Sequence, residues 1–373
     1  AAREAAAAGA HRQAADHLRL VLDHRPQLPA EQEAALWRTY GVECYTISTR
    51  SDVARQALER AVELGRGGDP VALSDSLRWL SRMCWWAGDV PGATAAGEQA
   101  IRVLVGTGHD GELAMIFSNQ SQLHALAGRE DEAVALAQRA LELAGDDPST
   151  RSHALNNLGL ARCRSSWAAG RPHLVESLRI AREARDTEQI CRAYVNLVWN
   201  DIQHLRLDEA ERSVQDAIAH AERAEFLLFA GYLQLELAML AFARGQWDRV
   251  VGLSSPAIDG ARPFRASALA LNGQLQARQG VAEAADLLDE AWELAVQVGE
   301  CQRIGPAASA SAEAAELAGD PRSALERLRT AYELAVRCGT PPVRAELAYR
   351  MGRAGEPVPP PEGDHPYAVL ARG

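Results

Sequence analysis

The sequence predicts an all-α fold, a right-handed α-α superhelix of about nine helical hairpins, and three observations carry that prediction. Alanine supplies 71 of the 373 residues, and 47% of the chain is apolar while only 5% is aromatic. Such a chain packs thin helices closely and has little material for a sheet, which draws on β-branched and aromatic residues. A glycine or its stand-in, followed five residues later by a small apolar residue, also recurs along the whole chain. Finally, a length prior of roughly 150 residues per globule would divide the chain into two or three domains, whereas a repeat array grows in one dimension and needs no division.

Taken in order, the markers are Gly9/Ala14, Thr49/Ala54, Gly88/Ala93, Gly128/Ala133, Gly170/Val175, Leu205/Ala210, Gly245/Val250, Gly280/Ala285 and Gly319/Ala324, separated by 40, 39, 40, 42, 35, 40, 35 and 39 residues. A second small residue follows seven positions later in Ala54/Ala61, Ala93/Ala100, Ala133/Ala140, Ala210/Ala217, Ala324/Ala331 and, one residue out of register, Ala284/Ala291. Seven residues make two helical turns, so both small side chains share a face and let another helix approach. A helical stretch of about 15–18 residues precedes each marker. Another, rich in Glu, Arg and Ala, follows it.

Each unit therefore reads as a hairpin. The glycine closes its first helix in the left-handed conformation, and an acidic residue or proline opens the second, as in Gly88-Asp89, Gly128-Arg129-Glu130-Asp131 and Gly319-Asp320-Pro321. Turn chemistry links the hairpins at Gly65-Arg66-Gly67-Gly68-Asp69-Pro70, Gly106-Thr107-Gly108, Gly145-Asp146-Asp147-Pro148 and Gly339-Thr340-Pro341-Pro342. The solenoid is expected to span residues 1–354, packed neighbour on neighbour without long-range contacts. Residues 355–366, GEPVPPPEGDHP, read as a proline-stiffened linker, and 367–373 as the start of a further helix. Without a methionine at Ala1, and ending on those first turns, the chain is expected to be a piece of a longer protein.

The first helices spell Trp37-x-x-Tyr40-Gly41-x-x-Cys44, Leu77-x-x-Leu80-Ser81-x-x-Cys84, Leu155-Asn156-Asn157-Leu158-Gly159 and Tyr194-Val195-Asn196-Leu197, followed by the glycine and alanine series. This resembles the tetratricopeptide pattern, with a period about five residues longer than that family's 34, which points to helices about a turn longer. The opening AAREAAAAGAHRQAADHL, the central HALNNLG and the close PPPEGDHPYAVLARG resemble the helical-repeat arm of large LuxR-type regulators, a family that includes the maltose-regulon activator and many actinobacterial activators. The resemblance implies an ATP-binding switch domain before the arm and a helix-turn-helix DNA-binding domain after it. It makes the arm a non-catalytic sensor in transcription regulation.

Composition excludes several chemistries. All 39 cationic side chains are arginine. Without lysine there is no phosphate-cradling GxxxxGK[ST] loop, no Schiff base, no kinase ammonium and no SxxK acylase. No cofactor is expected within the chain, and the ATP implied by the resemblance belongs on a domain outside it. The net charge of −11 argues against direct wrapping of nucleic acid, which needs a cationic stripe.

The GxGxxG of Gly106-Thr107-Gly108-His109-Asp110-Gly111 follows the apolar run Ile101 to Val105, but in register it is an inter-hairpin link and not a dinucleotide loop. The histidines form no HExxH; His17 and His24 share a face, with His11 upstream, and lack a third ligand, so no metal site is expected. Asp146-Asp147 is no DDxxD, and no GxSxG elbow occurs. The six cysteines stand 28 residues or more apart and read as free thiols in a reducing cytoplasm. With no long apolar run and no signal-type segment, a cytoplasmic chain without membrane contact is expected.

The candidate site follows from repeat geometry. First helices line the concave wall of a hairpin superhelix. Arg38, Tyr45, Asp75, Arg78, Arg82, Trp85, His153, Asn156, Arg192, Trp199 and Tyr232 fall at offsets that turn inward. Aromatic rings and arginines there suit a peptide, a protein segment or a medium-sized small-molecule effector, because planar groups supply contact area and Arg pairs carboxylates bidentately. Trp37 is expected in the core, and Trp86, Trp167, Trp247 and Trp292 in hairpin packing. Other readings of the same fold are a constitutive protein–protein interaction scaffold, or the arm of a switch ATPase fused to a nucleotide cyclase.

Overall fold

The computed structural model describes residues 1–24, 28–47, 51–258, 260–363 and 365–372. Twenty α-helices and no strand occur among the described residues. They run as α1 (Ala2–Ala7), α2 (His11–Asp23), α3 (Ala30–Thr46), α4 (Ser51–Gly65), α5 (Pro70–Trp86), α6 (Val90–Leu104), α7 (Asp110–Leu126), α8 (Glu130–Leu143), α9 (Pro148–Ser165) and α10 (Trp167–Ala184). The second half comprises α11 (Thr187–Gln203), α12 (Leu207–Arg223), α13 (Leu227–Ala243), α14 (Trp247–Ile258), α15 (Arg262–Arg278), α16 (Ala284–Val298), α17 (Cys301–Leu317), α18 (Leu325–Arg337), α19 (Pro341–Arg353) and α20 (Pro366–Arg372). Odd-numbered helices are the first members of the hairpins and even-numbered ones the second.

Local chemistry places the helix ends. Gly9, Gly88, Gly128, Gly245, Gly280 and Gly319 all have φ between +72° and +83°, the left-handed region glycine enters without a Cβ clash. Leu205, the stand-in, takes the same conformation at φ 56°. Asp69, Asp147 and Asp186 cap α5, α9 and α11 by accepting backbone N–H bonds from residues two or three positions on.

The small-residue face is the hairpin seam. Ala54, Ala61, Ala93, Ala100, Ala133, Ala140, Ala210, Ala217, Ala291 and Ala331 are wholly buried. Ser81 and Ser121, at the small position of the first helix, donate 2.7 Å bonds to the carbonyls of Ala93 and Ala133. At the equivalent Gly41 a Cβ would stand 2.8 Å from Leu58 Cγ, so helix contact there requires glycine.

Several expectations are corrected. The α9–α10 turn falls at Ser166, which caps α10 through Ala169 N, so Gly170 is not a hairpin-closing residue. It lies inside α10 against the Cys163 backbone and the Gly159 carbonyl, and Leu174 is the buried partner while Val175 is 44% exposed. Ala284, not Ala285, is buried at the start of α16. Trp37 is only half-buried, with its indole N–H on Glu33. Thr49, Asp364 within the predicted linker and Gly373 at the end of the predicted final helix lie outside the described residues. The 355–363 stretch lies along α18: Tyr332 donates to the Pro359 carbonyl and Arg329 pairs with Glu356.

The largest correction is long-range. The superhelix closes on itself, so packing is not confined to neighbours. Trp85 Nε1 donates to Glu300 Oε1 at 2.5 Å across 215 residues of sequence. Trp86 meets Phe264 edge-on at 4.6 Å between ring centroids, and Tyr45 meets Phe226 at 5.8 Å. Cys338 Sγ lies 3.5 Å from the Ala127 carbonyl oxygen. One continuous apolar cluster accordingly reaches from Cys44 to Leu275.

Candidate functional site at the closed concave centre

The inner faces of α3, α5, α7, α9 and α11 converge on a buried charged cluster. Arg82 is 5% exposed, its guanidinium 4.8 Å from the Tyr45 ring centre and 4.7 Å from that of Trp79. It donates to the Tyr45 hydroxyl and pairs with Glu188. Arg192 donates to the same carboxylate at 3.2 Å and to Gln122 Oε1 at 3.0 Å. Burial alone would push the Glu188 carboxyl up, but Arg82 and Arg192 outweigh it and hold it down to about 2. Two arginines thus share one carboxylate, leaving a surplus positive charge out of water.

Hydrogen-bonding capacity is also left over. Arg192 Nε and both amide atoms of Asn156 are buried without a partner. His153 Nδ1 lies 2.6 Å from Ser118 Oγ and 3.1 Å from Asn157 Nδ2, while its Nε2 has no partner. Burial, then the charges of Arg192, Arg82 and Arg78, keep this imidazole neutral. Buried polar atoms in native proteins are nearly always satisfied, by protein groups or by ordered water, so these atoms are positions at which water or a polar ligand atom can bond.

Beside the cluster an apolar wall of Trp85, Trp86, Leu126, Leu160, Trp199, Phe229 and Tyr232 encloses a cavity of about 40 Å³. At roughly 10–15 Å³ per water that is room for about three waters. Against the wall residue Tyr232 lies Arg303, 2% exposed, which donates to Ser267 Oγ at 2.8 Å and Tyr232 Oη at 3.3 Å. Its guanidinium lies 5.5 Å from the Trp199 ring. Below it Glu236 is wholly buried with neither oxygen bonded, and burial, only partly offset by Arg303, raises its pKa well above the carboxylate range.

Of the residues expected to turn inward, Arg82, Trp85, Arg192, Trp199 and Tyr232 line this cavity, with Tyr45 behind Arg82. Asn156 and His153 lie buried on α9, one and two turns before the cavity residue Leu160. Arg38, Asp75 and Arg78 are not part of it; they border an open groove of about 540 Å³, where Asp75 pairs with Arg78 at 2.7 Å and Arg38 at 3.4 Å. Trp86, read as hairpin packing, instead lines the cavity. Glu188, Gln122, Arg303 and Glu236 were not expected. Glu188 had a detectable signal, since it stands four residues before Arg192 on one helix face; Arg303 had none, because only closure brings it to the centre.

No known protein-family profile matches the chain, and no curated protein matches it in sequence. Among solved structures, a Rap protein complexed with Competence and Sporulation Factor superposes with a TM-score of 0.65 at 13% identity, over 90% of this chain and 96% of that one. Looser likenesses are a signal-transduction ATPase with a tetratricopeptide repeat sensor from Pyrococcus horikoshii (TM-score 0.43, 13% identity, 75% of this chain and 44% of that one) and yeast Tom70 (TM-score 0.44, 11% identity, 95% and 80%). Identity at this level speaks to architecture alone, and the architecture is a TPR-like helical superhelix.

Proposed function

We propose that this chain is the non-catalytic, effector-binding arm of a large LuxR-type transcriptional regulator, acting in the cytoplasm and passing its binding state to separate ATPase and DNA-binding domains. One observation carries the reading: a buried cluster with surplus positive charge and unpartnered polar atoms, set against a tryptophan-lined cavity at the centre of the closed superhelix. The effector is a short peptide, protein segment or medium-sized molecule with an apolar body and an anionic group. The anion pairs with Arg82 and Arg192, and the apolar body stacks on Trp85 and Trp199.

A cavity of about 40 Å³ is too small for such a ligand, so binding requires the superhelix to open or to reclose around it. An effector shifts that equilibrium only by its difference in affinity for the two states. The Rap protein of the same fold is complexed with a factor, which supports a binding role for this architecture. The absence of lysine and the charge of −11 fit ATP and DNA contacts made elsewhere.

The test is a thermal-shift screen of the purified chain against short peptides and anionic metabolites, repeated with Arg192→Ala and Trp199→Ala. A compound that raises the wild-type melting point by several degrees and neither variant's is the expected result; at 100 Kd of ligand the stabilisation is about 2.7 kcal/mol. If no compound stabilises the wild type while the chain captures a protein partner with both variants unimpaired, a constitutive scaffold replaces the sensor.

A further inference from the structure

A second concavity lies apart from the central cavity and shares no lining residue with it. The end of α10, the first half of α11 and the second half of α12 bound it, and it holds about 450 Å³, within the roughly 300–1,000 Å³ of small-molecule sites. Three arginines line it: Arg182 in the last turn of α10, Arg185 just past that helix at φ 56°, and Arg223 at the end of α12. None of the three forms an ion pair among the described residues, although the chain has 50 acidic side chains against 39 arginines.

The nearby acids are committed elsewhere. Glu176 and Glu183 of α10 both pair with Arg179, at 2.7 and 2.5 Å. Asp186 caps α11 through Gln189 N, Glu188 is held in the central cluster by Arg82 and Arg192, and Glu222 accepts from Gln234 at 3.3 Å. Asp216 is the one carboxylate among the lining residues. Donor capacity is left over as well. His220 Nε2 is buried without a partner, and burial, then the charges of Arg223 and Arg182, hold its pKa below the ordinary value. The imidazole is therefore uncharged at neutral pH, with Nε2 able to carry the proton and donate. The Tyr194 hydroxyl accepts from Arg182, which leaves its own proton to donate.

We propose that this pocket binds a phosphate dianion, free or as the end of a small monoester, on Arg182, Arg185 and Arg223, with His220 Nε2 and the Tyr194 hydroxyl as further donors. The planar forks of arginine match phosphate oxygens in pairs, and a dianion answers the excess of positive charge that one carboxylate leaves. An arginine in the last turn of a helix also answers the negative end of its dipole. That accounts for Arg182 and Arg223 singly, but not for their convergence with Arg185 and an orphaned imidazole nitrogen on one concavity. The volume beyond a single ion, and the buried Ile190 and Tyr194 ring on the wall, give an ester's organic body a place to lie.

The test is isothermal titration of the chain with inorganic phosphate, phenyl phosphate and phenol, repeated with Arg185→Gln, Arg223→Gln and, as a control for lost surface charge, Arg139→Gln on α8. Both pocket arginines are exposed, so their removal leaves the core intact. One phosphate or phenyl phosphate per chain, weakened at least about tenfold by each pocket variant and unchanged by Arg139→Gln, is the expected result. Phenyl phosphate binding more tightly than inorganic phosphate identifies an ester as the source, and equal affinity identifies the free ion. The ring signal of His220 should shift on saturation. No binding of either phosphate, binding that phenol matches, or binding that both pocket variants leave undiminished overturns the proposal. Neither arginine lines the central cavity, so that outcome leaves the effector site there untouched.

Discussion

Substituting Gly128 tests the closure directly. Its φ of +78° costs an alanine about 1–2 kcal/mol in left-handed strain. In addition the new Cβ falls within 3 Å of the Cys338 Cα and nearer still to its side chain, and backbone cannot step aside as a flexible side-chain tip can. Overpacking of this kind costs about 1–3 kcal/mol, so Gly128→Ala is expected to lose about 2–5 kcal/mol in all. Gly319 is the control: its φ is +83° and no atom lies within 4 Å of its Cβ position, so Gly319→Ala loses only the strain. Urea denaturation of the two variants side by side measures the difference, and small-angle scattering tells whether Gly128→Ala instead opens the superhelix and enlarges its radius of gyration. Equal denaturation midpoints with equal radii would refute the reasoning, because the α7–α8 turn would then not bear on Cys338.

Glu188 predicts an acid limb. Its folded pKa of about 2 lies below its ordinary 4.5, so its stabilisation, about 3 kcal/mol, is complete above roughly pH 5 and lost as pH falls through about 2. Glu188→Gln should therefore be most destabilised at pH 7 and converge on the wild type near pH 2, as read by urea midpoints against pH. Glu236 has the opposite sign: a raised folded pKa means stability fully present below the unfolded pKa and lost as pH rises toward the folded value. Glu236→Gln should match the wild type at pH 4 and exceed it at pH 8; a variant less stable at pH 8 would mean a partner holds the charge. Leu205, 42% exposed at φ 56°, is strained where glycine is not, so Leu205→Gly should raise the denaturation free energy by about 1 kcal/mol, and a loss would show that its side chain packs.

The sequence by itself determined the helices, the hairpin period and the face each helix turns to its partner. These are local properties: two small residues seven positions apart, a left-handed glycine and an aspartate cap act within one or two turns, which is why Ala93, Ala100, Gly88 and Asp147 take the places their spacing assigns. Even locally the register slipped where alternatives competed. Ser166 caps α10 better than Gly170 could close α9, and only backbone contact between Gly159 and Gly170 reveals the shift. The candidate site was half-legible for the same reason, since repeat offsets place Arg82, Trp85, Arg192, Trp199 and Tyr232 inward. Tertiary structure alone decided that the solenoid closes, that Glu300 and Arg303 reach the centre, and that Cys338 meets the α7–α8 turn. Closure is the sum of small rotations over many repeats, and no single repeat encodes that sum in its own spacing.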